Sequence, residues 1–542
     1  MTKIYILDYG AGNVRSIVNA LKHLQFEFSW IKSPKDFELA DTIIFPGVGN
    51  FGAGMQKLAE FGFAEPLREW IAADKPFMGI CVGMQCLCTG SQESDVPGLG
   101  IIDAQITKFE DSDKSVPHMG WNSATETSDL GFINQSAPSK YYFVHSFALK
   151  INDLPKESSK WAYSFTKYGH EVFVSSIQQG NIFATQFHPE KSGRAGLMVI
   201  ESFLKATNYS ILRKIKFDLP PDGLTKRIIA CLDVRANDSG DLVVTKGDQY
   251  DVREKEGNAV RYLMFYCRNL GKPVSLAKRY YEEGADEITF LNITSFRNSP
   301  LTDQPMLDVL KRTSETVFVP LTIGGGIRDF IDCNGKFVSA LEVAGEYFRS
   351  GADKISIGSD AVYATEEYLR CKKVTSNAIT EISRVYGRQA VVISVDPKRI
   401  YVASESEADG HHVIRTSRVG PNGENLCWYQ CTVKGGRETR DVDVIQLVTS
   451  CCMMGAGEIL LNSMDHDGQN RGYDLELIAA VKSHVRIPVI ASSGAGCVEH
   501  FSDMFRETGA DAALAAGIFH RQEVPIENVK EHLRLSGYKV RQ

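Results

Sequence analysis

The sequence predicts two α/β domains in tandem: an open, mainly parallel sheet over residues 1–205 and a (β/α)8 barrel over 224–542, joined by a linker at 206–223. Three observations predict this. From residue 4 onward, apolar strand segments alternate with glycine turns and amphipathic helices. Beyond the linker come further apolar segments separated mostly by helical stretches. That second part also repeats its own pattern, as two halves of one barrel would.

Composition narrows the classes. A chain of 542 residues is too long for one ordinary core. A net charge of -7 argues against a nucleic-acid binder. The 12 cysteines include no C-x-x-C, and the close pairs Cys86/Cys88, Cys427/Cys431 and Cys451/Cys452 do not make a zinc pattern. The chain is too long for a disulfide-stapled domain, so a reducing compartment is expected. Lys3–Asp8 reads as a strand at once, without a signal peptide, and no apolar run is long enough to span a membrane. The expected location is cytoplasmic, with a plastid open if a transit peptide is missing from this chain.

In the first domain, strand Ile4–Leu7 turns through Asp8–Asn13 into a helix with Val14, Ile17, Val18, Leu21 and Leu24 on one side. Strand Asp41–Phe45 meets the turn Pro46-Gly-Val-Gly49. Strand Phe77–Ile80 runs into Gly79-Ile-Cys81-Val-Gly83, after which Met84, Gln85 and Leu87 begin a helix. A small nucleophile between glycines at a strand-to-helix turn is the nucleophile-elbow pattern, with Cys in place of Ser. Glycines permit the strained turn, and the helix N-terminus favours charge on sulfur. Alone, the pattern also suits a buried structural cysteine. A glycine loop beside a nucleophile can donate N–H groups to an oxyanion, or be a tight turn without chemistry. Two more strand-like runs follow, Tyr141–Ser146 and Asn181–Phe187, and the second enters His188-Pro-Glu190. With i, i+2 spacing across Pro, His188 can take the thiol proton and later protonate a leaving amine, while Glu190 holds the ring in one tautomer. A lone His after a strand is more often structural; the three features together are far more specific.

Gly79-Ile-Cys-Val-Gly83 with Gln186-Phe-His-Pro-Glu190 resembles the class I glutamine amidotransferases. The resemblance implies a glutaminase α/β domain with Cys81 as nucleophile, His188 as base and Glu190 as orienter. It places Gly47 and Gly49 in the oxyanion loop and gives Gln85 a part in holding glutamine. The implied reaction is hydrolysis of the glutamine amide through a thioester, releasing ammonia that a second site must consume.

Basic residues between Asn208 and Asp222 and the run Pro220-Pro-Asp-Gly223 mark the connector. Eight strands follow: Lys226–Asp233, Glu287–Asn292, Val317–Thr322, Lys354–Ile357, Ala390–Asp396, Glu458–Asn462, Pro488–Ala491 and Ala512–Ala516. Insertions would account for the length beyond a usual barrel of ~250 residues. Asp233 and Asp396 end strands 163 positions apart; Gly324-Gly-Gly-Ile and Ser493-Gly-Ala-Gly follow 169 apart. Gly324–Gly326 with Gly358-Ser359, and Ser493-Gly494 with Gly517, can present backbone N–H groups to two phosphates, or merely close tight turns. Two phosphate sites suit a substrate with a phosphate at each end, and Asp233 and Asp396 then stand near its middle for acid and base work. Lys246 follows the first strand and can engage the substrate. Arg227, Glu287, Lys354 and Glu458 each open an apolar strand. Period two puts Arg227, Ile229, Cys231 and Asp233 on one face, so these charges either form a neutral ring across the barrel bottom or are simply solvated.

Arg227–Val234, Asp241–Val252, Gly324–Ile327 and Ser463-Met-Asp-His-Asp-Gly468 resemble the cyclase half of the imidazole glycerol phosphate synthases, whose eukaryotic form is a fused glutaminase–cyclase. The resemblance implies a glutaminase docked on the barrel bottom, in a likeness closest to plant and fungal members. Ammonia would pass a gate formed by Arg227, Glu287, Lys354 and Glu458 to a bis-phosphate ribulosyl nucleotide. Asp233 and Asp396 match the acid/base pair. Gly326, Ser359, Gly468, Gly494 and Gly517 fall in the substrate-binding turns, and Asp467 matches a further carboxylate there. No metal or organic cofactor is implied; fusion makes a monomer plausible. One departure is Tyr262–Arg268, an apolar, aromatic insertion where a lid would close. A sugar-phosphate isomerase barrel or an idle metabolite binder would also carry phosphate turns. An isomerase has no use for ammonia, and an idle binder has no use for an intact triad.

Overall fold

In the computed structural model the described residues are 2–10, 12–47, 49–126, 139–154, 161–206, 220–236, 242–245, 272–292, 304–332 and 335–542. Lys246, the insertion at 262–268 and most of the linker lie outside them. The chain forms two compact units, Met1–Thr225 with Ser314–Val319 and Arg384–Gln389, and the remainder from Lys226.

The first unit is built on an eight-stranded sheet in the order Phe28–Ile31, Ile4–Leu7, Thr42–Phe45, Phe77–Ile80, Ile182–Thr185, Glu171–Gln179, Ala162–Tyr168, Thr125–Glu126. The first five strands are parallel and the last three are joined antiparallel. The sheet is therefore more mixed than its sequence suggests. The chain reverses at Gly169-His170 and Gly180-Asn181, where the glycines have φ of +58° and +52°. Two-residue turns allow only antiparallel neighbours. Helix Arg15–His23 buries Ile17, Val18 and Leu21, while Leu24 caps it. At the centre, Phe77–Ile80 is fully buried, with Thr42–Phe45 on one side and Ile182–Thr185 on the other. The register pairs Ile80 with Thr185, so the chain following each strand leaves from the same edge of the sheet.

In the second unit eight parallel strands close on themselves: Arg227–Ala236, Glu287–Asn292, Leu321–Gly324, Lys354–Ile357, Val391–Val395, Glu458–Asn462, Val489–Ser492 and Ala512–Ala515, the last pairing back to the first. Two strands differ from expectation. The third begins at Leu321, because Pro320 has no N–H to give a ladder. The first does not stop at Asp233; it runs on to Ala236 and pairs antiparallel with Leu242–Thr245. After the fifth strand the chain makes an antiparallel excursion through Pro397–Val402, Ile414–Arg415, Leu426–Val433 and Glu438–Asp443, which accounts for part of the extra length. Inside the barrel, Ile229, Cys231, Val392, Leu460, Ile490, Ala512 and Leu514 form one apolar cluster.

Asp286 sets how the first two barrel strands start. Its carboxylate accepts from the Ile228 N–H at 2.8 Å, Lys530 Nζ at 2.6 Å and Arg541 Nε at 2.8 Å. It thereby ties the C-terminal tail to the residues flanking Arg227 and Glu287. Truncating one partner of a buried ion pair strands the others. Asp286→Ala is expected to lower the unfolding free energy by about 3 kcal/mol, read as a lower urea midpoint with an unchanged slope.

Candidate active sites

Cys81 is held at φ 52° and ψ −105°, a backbone conformation that side chains rarely adopt. Its N–H donates to Thr185 O at 2.7 Å, and its carbonyl accepts from Met84 and Gln85 N–H, each at 3.0 Å. Close approach explains the glycines around it. A Cβ on Gly83 would lie 2.3 Å from Phe45 O, and one on Gly47 would lie 2.3 Å from Gly83 N. The glycine loop is thus pressed onto the elbow, and Gly49 takes a φ of +142° that favours glycine. Val48 lies outside the described residues.

His188 arrives beside Cys81 because its strand is the parallel neighbour of the elbow strand. Its N–H donates to Tyr142 O at 2.9 Å and its carbonyl accepts from Ser192 Oγ at 2.6 Å. Pro189 opens a tight turn, Pro189–Lys191, that swings Glu190 back to His188. His188 Nδ1 meets Glu190 Oε1 at 2.8 Å, with both side chains 5% exposed. That leaves Nε2 for the thiol proton. Burial alone would lower the imidazole pKa, but the charges of Glu190 and the Cys81 sulfur hold it well above its ordinary value. Gln85 Nε2 donates to Phe147 O at 2.9 Å and to Gln186 Oε1 at 3.1 Å. Gln186 Nε2 donates to Cys81 Sγ at 3.4 Å. Gln186 stands within the His188 motif, but only the strand register reveals its contact with Cys81.

In the barrel, Arg227, Glu287, Lys354 and Glu458 form a closed ring. Arg227 Nη1 meets Glu287 Oε1 at 2.7 Å and Nη2 meets Glu458 Oε1 at 2.6 Å. Lys354 Nζ meets Glu287 Oε2 at 2.6 Å and Glu458 Oε2 at 2.7 Å. All four side chains are at most 1% exposed. Burial would raise the Glu287 carboxyl, yet Arg227 and Lys354 hold it below its ordinary value; two cations facing two carboxylates make the ring's formal charges cancel.

The other expected residues lie at the carboxyl ends of barrel strands. Gly326 has φ +73° after the third strand, and Ser359 opens the helix after the fourth, its Oγ accepting from Lys434 N–H at 2.9 Å. Gly494 has φ +97°, and a Cβ there would lie 2.2 Å from Gly472 O. Gly517 follows the eighth strand. Strands three and four stand opposite seven and eight in the closed order, as strand one, with Asp233, stands opposite strand five, which Asp396 follows. Burial raises the Asp396 carboxyl, the Asn462 hydrogen bond at 2.9 Å opposes this, and the Asp467 charge adds to it. The Cys231 thiol is raised by burial and then by the charges of Asp233 and Asp467. Asp467 and Gly468 are exposed, in a loop also carrying Asp465, which accepts from Arg399 N–H at 2.8 Å. Asn462, at the end of the sixth strand, was not anticipated; a polar residue closing an apolar strand was its only signal. Lys246 lies outside the described residues. Among those residues, Glu110, His170 and Glu171 come close enough to share an ion, but Lys114 and Lys150 already hold Glu171, each at 2.7 Å. No helix among them is long and apolar enough to cross a membrane.

Comparison with known proteins decides the family. The profile described as "Glutamine amidotransferase class-I" matches residues 5–206, and that described as "Histidine biosynthesis protein" matches 227–525. The imidazole glycerol phosphate synthase hisHF of Schizosaccharomyces pombe is 56% identical over 99% of this chain and 99% of its own length. The protein of the same name from Emericella nidulans is 55% identical over 100% and 99%, and the chloroplastic one from Arabidopsis thaliana is 52% identical over 99% and 89%. The chain belongs to the imidazole glycerol phosphate synthase hisHF family. Members of this family join a glutamine amidotransferase and a cyclase barrel in one enzyme of histidine biosynthesis, and the two units described above match those two parts. The resemblances drawn from Gly79–Gly83, Gln186–Glu190 and the barrel motifs thus lead to the family that the whole chain matches.

The His188–Glu190 pair makes a pH prediction. The folded pKa of His188 lies above the ordinary 6.5, so its protonated form stabilises the fold. That contribution is full below 6.5 and is lost as pH rises through the raised value. Wild type is therefore expected to lose stability with rising pH in this window more steeply than Glu190→Gln, read by urea unfolding across pH. The same variant is expected to lose roughly 10²–10⁴-fold in glutamate release.

Proposed function

We propose that this chain is a glutamine-dependent imidazole glycerol phosphate synthase, with residues 1–205 as glutaminase, 206–223 as linker and 224–542 as cyclase. His188 holds the proton taken from the Cys81 thiol, and the thiolate attacks the glutamine side-chain amide. Glu190 stabilises the imidazolium, and His188 then protonates the departing ammonia. Water hydrolyses the thioester to glutamate. Gly47 and Gly49 belong to the oxyanion loop, and Gln85 helps hold glutamine. Ammonia passes the ring of Arg227, Glu287, Lys354 and Glu458 and rises through the apolar barrel to phosphoribulosyl-formimino aminoimidazole carboxamide ribotide. Gly326, Ser359, Gly468, Gly494 and Gly517 bind the two ends of that substrate, Lys246 and Asp467 contact it, and Asp233 and Asp396 move protons. The products are imidazole glycerol phosphate and aminoimidazole carboxamide ribotide. The protein works as a cytoplasmic monomer.

The observation that carries this reading is the ring. Four desolvated charges are expensive to bury, and apolar replacements of such pairs are often neutral or stabilising. Their presence across a barrel fused to an ammonia-releasing thiol site supports a passage that opens for a small neutral molecule. Burial holds the Asp396 carboxyl above its ordinary range, which supports a part for it in proton transfer.

The test measures glutamate release and imidazole glycerol phosphate formation together. Cys81→Ala is expected to lose glutamine-dependent synthesis entirely and to keep synthesis from added ammonium. Wild type failing to make the imidazole product even with ammonium would overturn the cyclase assignment. Lys354→Met opens the ring on one side. It is expected to lower the ratio of product to glutamate below that of wild type while affecting ammonium-dependent synthesis less; an unchanged ratio would remove the ring from the ammonia path.

A further inference from the structure

A continuous hydrogen-bond chain ends on the Cys81 sulfur, and the direction of each bond in it is determined. The starting point is the Phe147 carbonyl, which can only accept. His145 Nδ1 lies 2.8 Å from it and must carry the proton. In the neutral ring Nε2 is then an acceptor, facing His118 Nδ1 at 3.2 Å, which must in turn be protonated. His118 Nε2 accepts from Asn122 Nδ2 at 3.3 Å. Both imidazoles are fully buried and their pKa values fall far below the ordinary 6.5, His145 to about 3, chiefly through burial, so both rings are neutral. On the other side of the same carbonyl, Gln85 Nε2 donates to Phe147 O and gives its second hydrogen to Gln186 Oε1. With its oxygen so occupied, Gln186 can only turn Nε2–H toward Cys81 Sγ, at 3.4 Å.

We propose that Gln186 is a catalytic residue of the glutaminase, a fixed hydrogen-bond donor that stabilises negative charge on Cys81 Sγ, and that Gln85, itself oriented by the Phe147 carbonyl, is the positioning residue that holds its amide in that orientation. This rests on the assignment of Cys81 as nucleophile. The other ionisable groups near the sulfur leave this task open. Tyr9 and Cys86 are buried and feel the sulfur's charge, and both are raised, first by burial, so they stay neutral. His188 is the cationic neighbour, and Glu190 spends one oxygen on it. His188 must also give up its proton to the leaving amine, whereas an amide donor remains in place throughout the cycle. Donors to an ionised acceptor form stronger bonds than those to a neutral one, so the contact favours the thiolate over the thiol.

The test reads the rate of Cys81 alkylation by iodoacetamide against pH in the full-length protein without glutamine, scored on the Cys81 peptide by mass spectrometry. Gln186→Met removes the donor and Gln186→Glu places a carboxylate against the sulfur. In Gln186→Met the half-maximal rate is expected about one pH unit higher than in wild type, with roughly tenfold slower alkylation at neutral pH. Gln186→Glu is expected to move further in the same direction. Ammonium-dependent synthesis, which does not use the thiol, is expected to stay at the wild-type level and reports on the barrel, while an unchanged urea unfolding midpoint reports that the unit holding Gln186 is folded. Should Gln186→Met fail that control, Gln186→Glu, which keeps the side-chain shape, decides the question. Profiles superimposable on wild type in a folded variant would overturn the proposal. The profile is read without turnover, so a failure of glutamine-dependent synthesis in wild type would count against the proposed function and not against this contact.

Discussion

Parallel strand register is the constraint on which both units depend. Parallel strands in one sheet send all their carboxyl-terminal loops to one edge, so residues far apart in sequence converge there. In the first unit the pairing of Ile80 with Thr185 brings the Cys81 elbow and the Gln186–Glu190 segment side by side. Closure of the second sheet between Arg227–Ala236 and Ala512–Ala515 does the same for eight loops at once. It also gathers the opposite ends of the strands, where Arg227, Glu287, Lys354 and Glu458 meet.

Buried polarity is the second organising factor, handled differently in the two units. The ring cancels charge with charge, each carboxylate bridging the two cations. The thiol site uses few charges and many neutral donors. Two imidazoles, two glutamines and one main-chain carbonyl form a chain whose polarity leaves no free choice of amide or tautomer orientation. The strained backbone at Cys81 is tolerated because its N–H and carbonyl are both bonded and because Gly47 and Gly83 leave no Cβ in the way. Asp286 and the C-terminal Arg541 keep the ring strands in step, which links the end of the chain to the level of the barrel where ammonia is proposed to enter.

Legibility followed the range of the interaction. The elbow, the His188-Pro-Glu190 turn and the glycine turns at Gly326 and Gly494 are local motifs, each within a few residues, which a sequence records directly. Gln186 stood in plain view beside His188, but its contact spans 105 residues and exists only through strand register. Asn462 was similarly hidden, since its partner Asp396 follows the neighbouring barrel strand. The antiparallel half of the first sheet was missed because hairpin turns at Gly169 and Gly180 resemble any other glycine turn until the strands pair. Pro320 moved the third barrel strand four residues onward for want of a single N–H.

The sequence by itself determined which elements form and which chemical groups they carry. Apolar periodicity specified the strands, glycines specified the tight turns, and the succession of strands and crossovers specified a barrel. Local backbone preference and side-chain burial act over a few residues, and a one-dimensional pattern records them. Tertiary structure alone decided which charges pair, which nitrogen of each imidazole bears the proton, and which amide faces the nucleophile. Those outcomes depend on hydrogen-bond direction and desolvation between groups dozens to hundreds of residues apart, and neither exists before the sheet has closed around them.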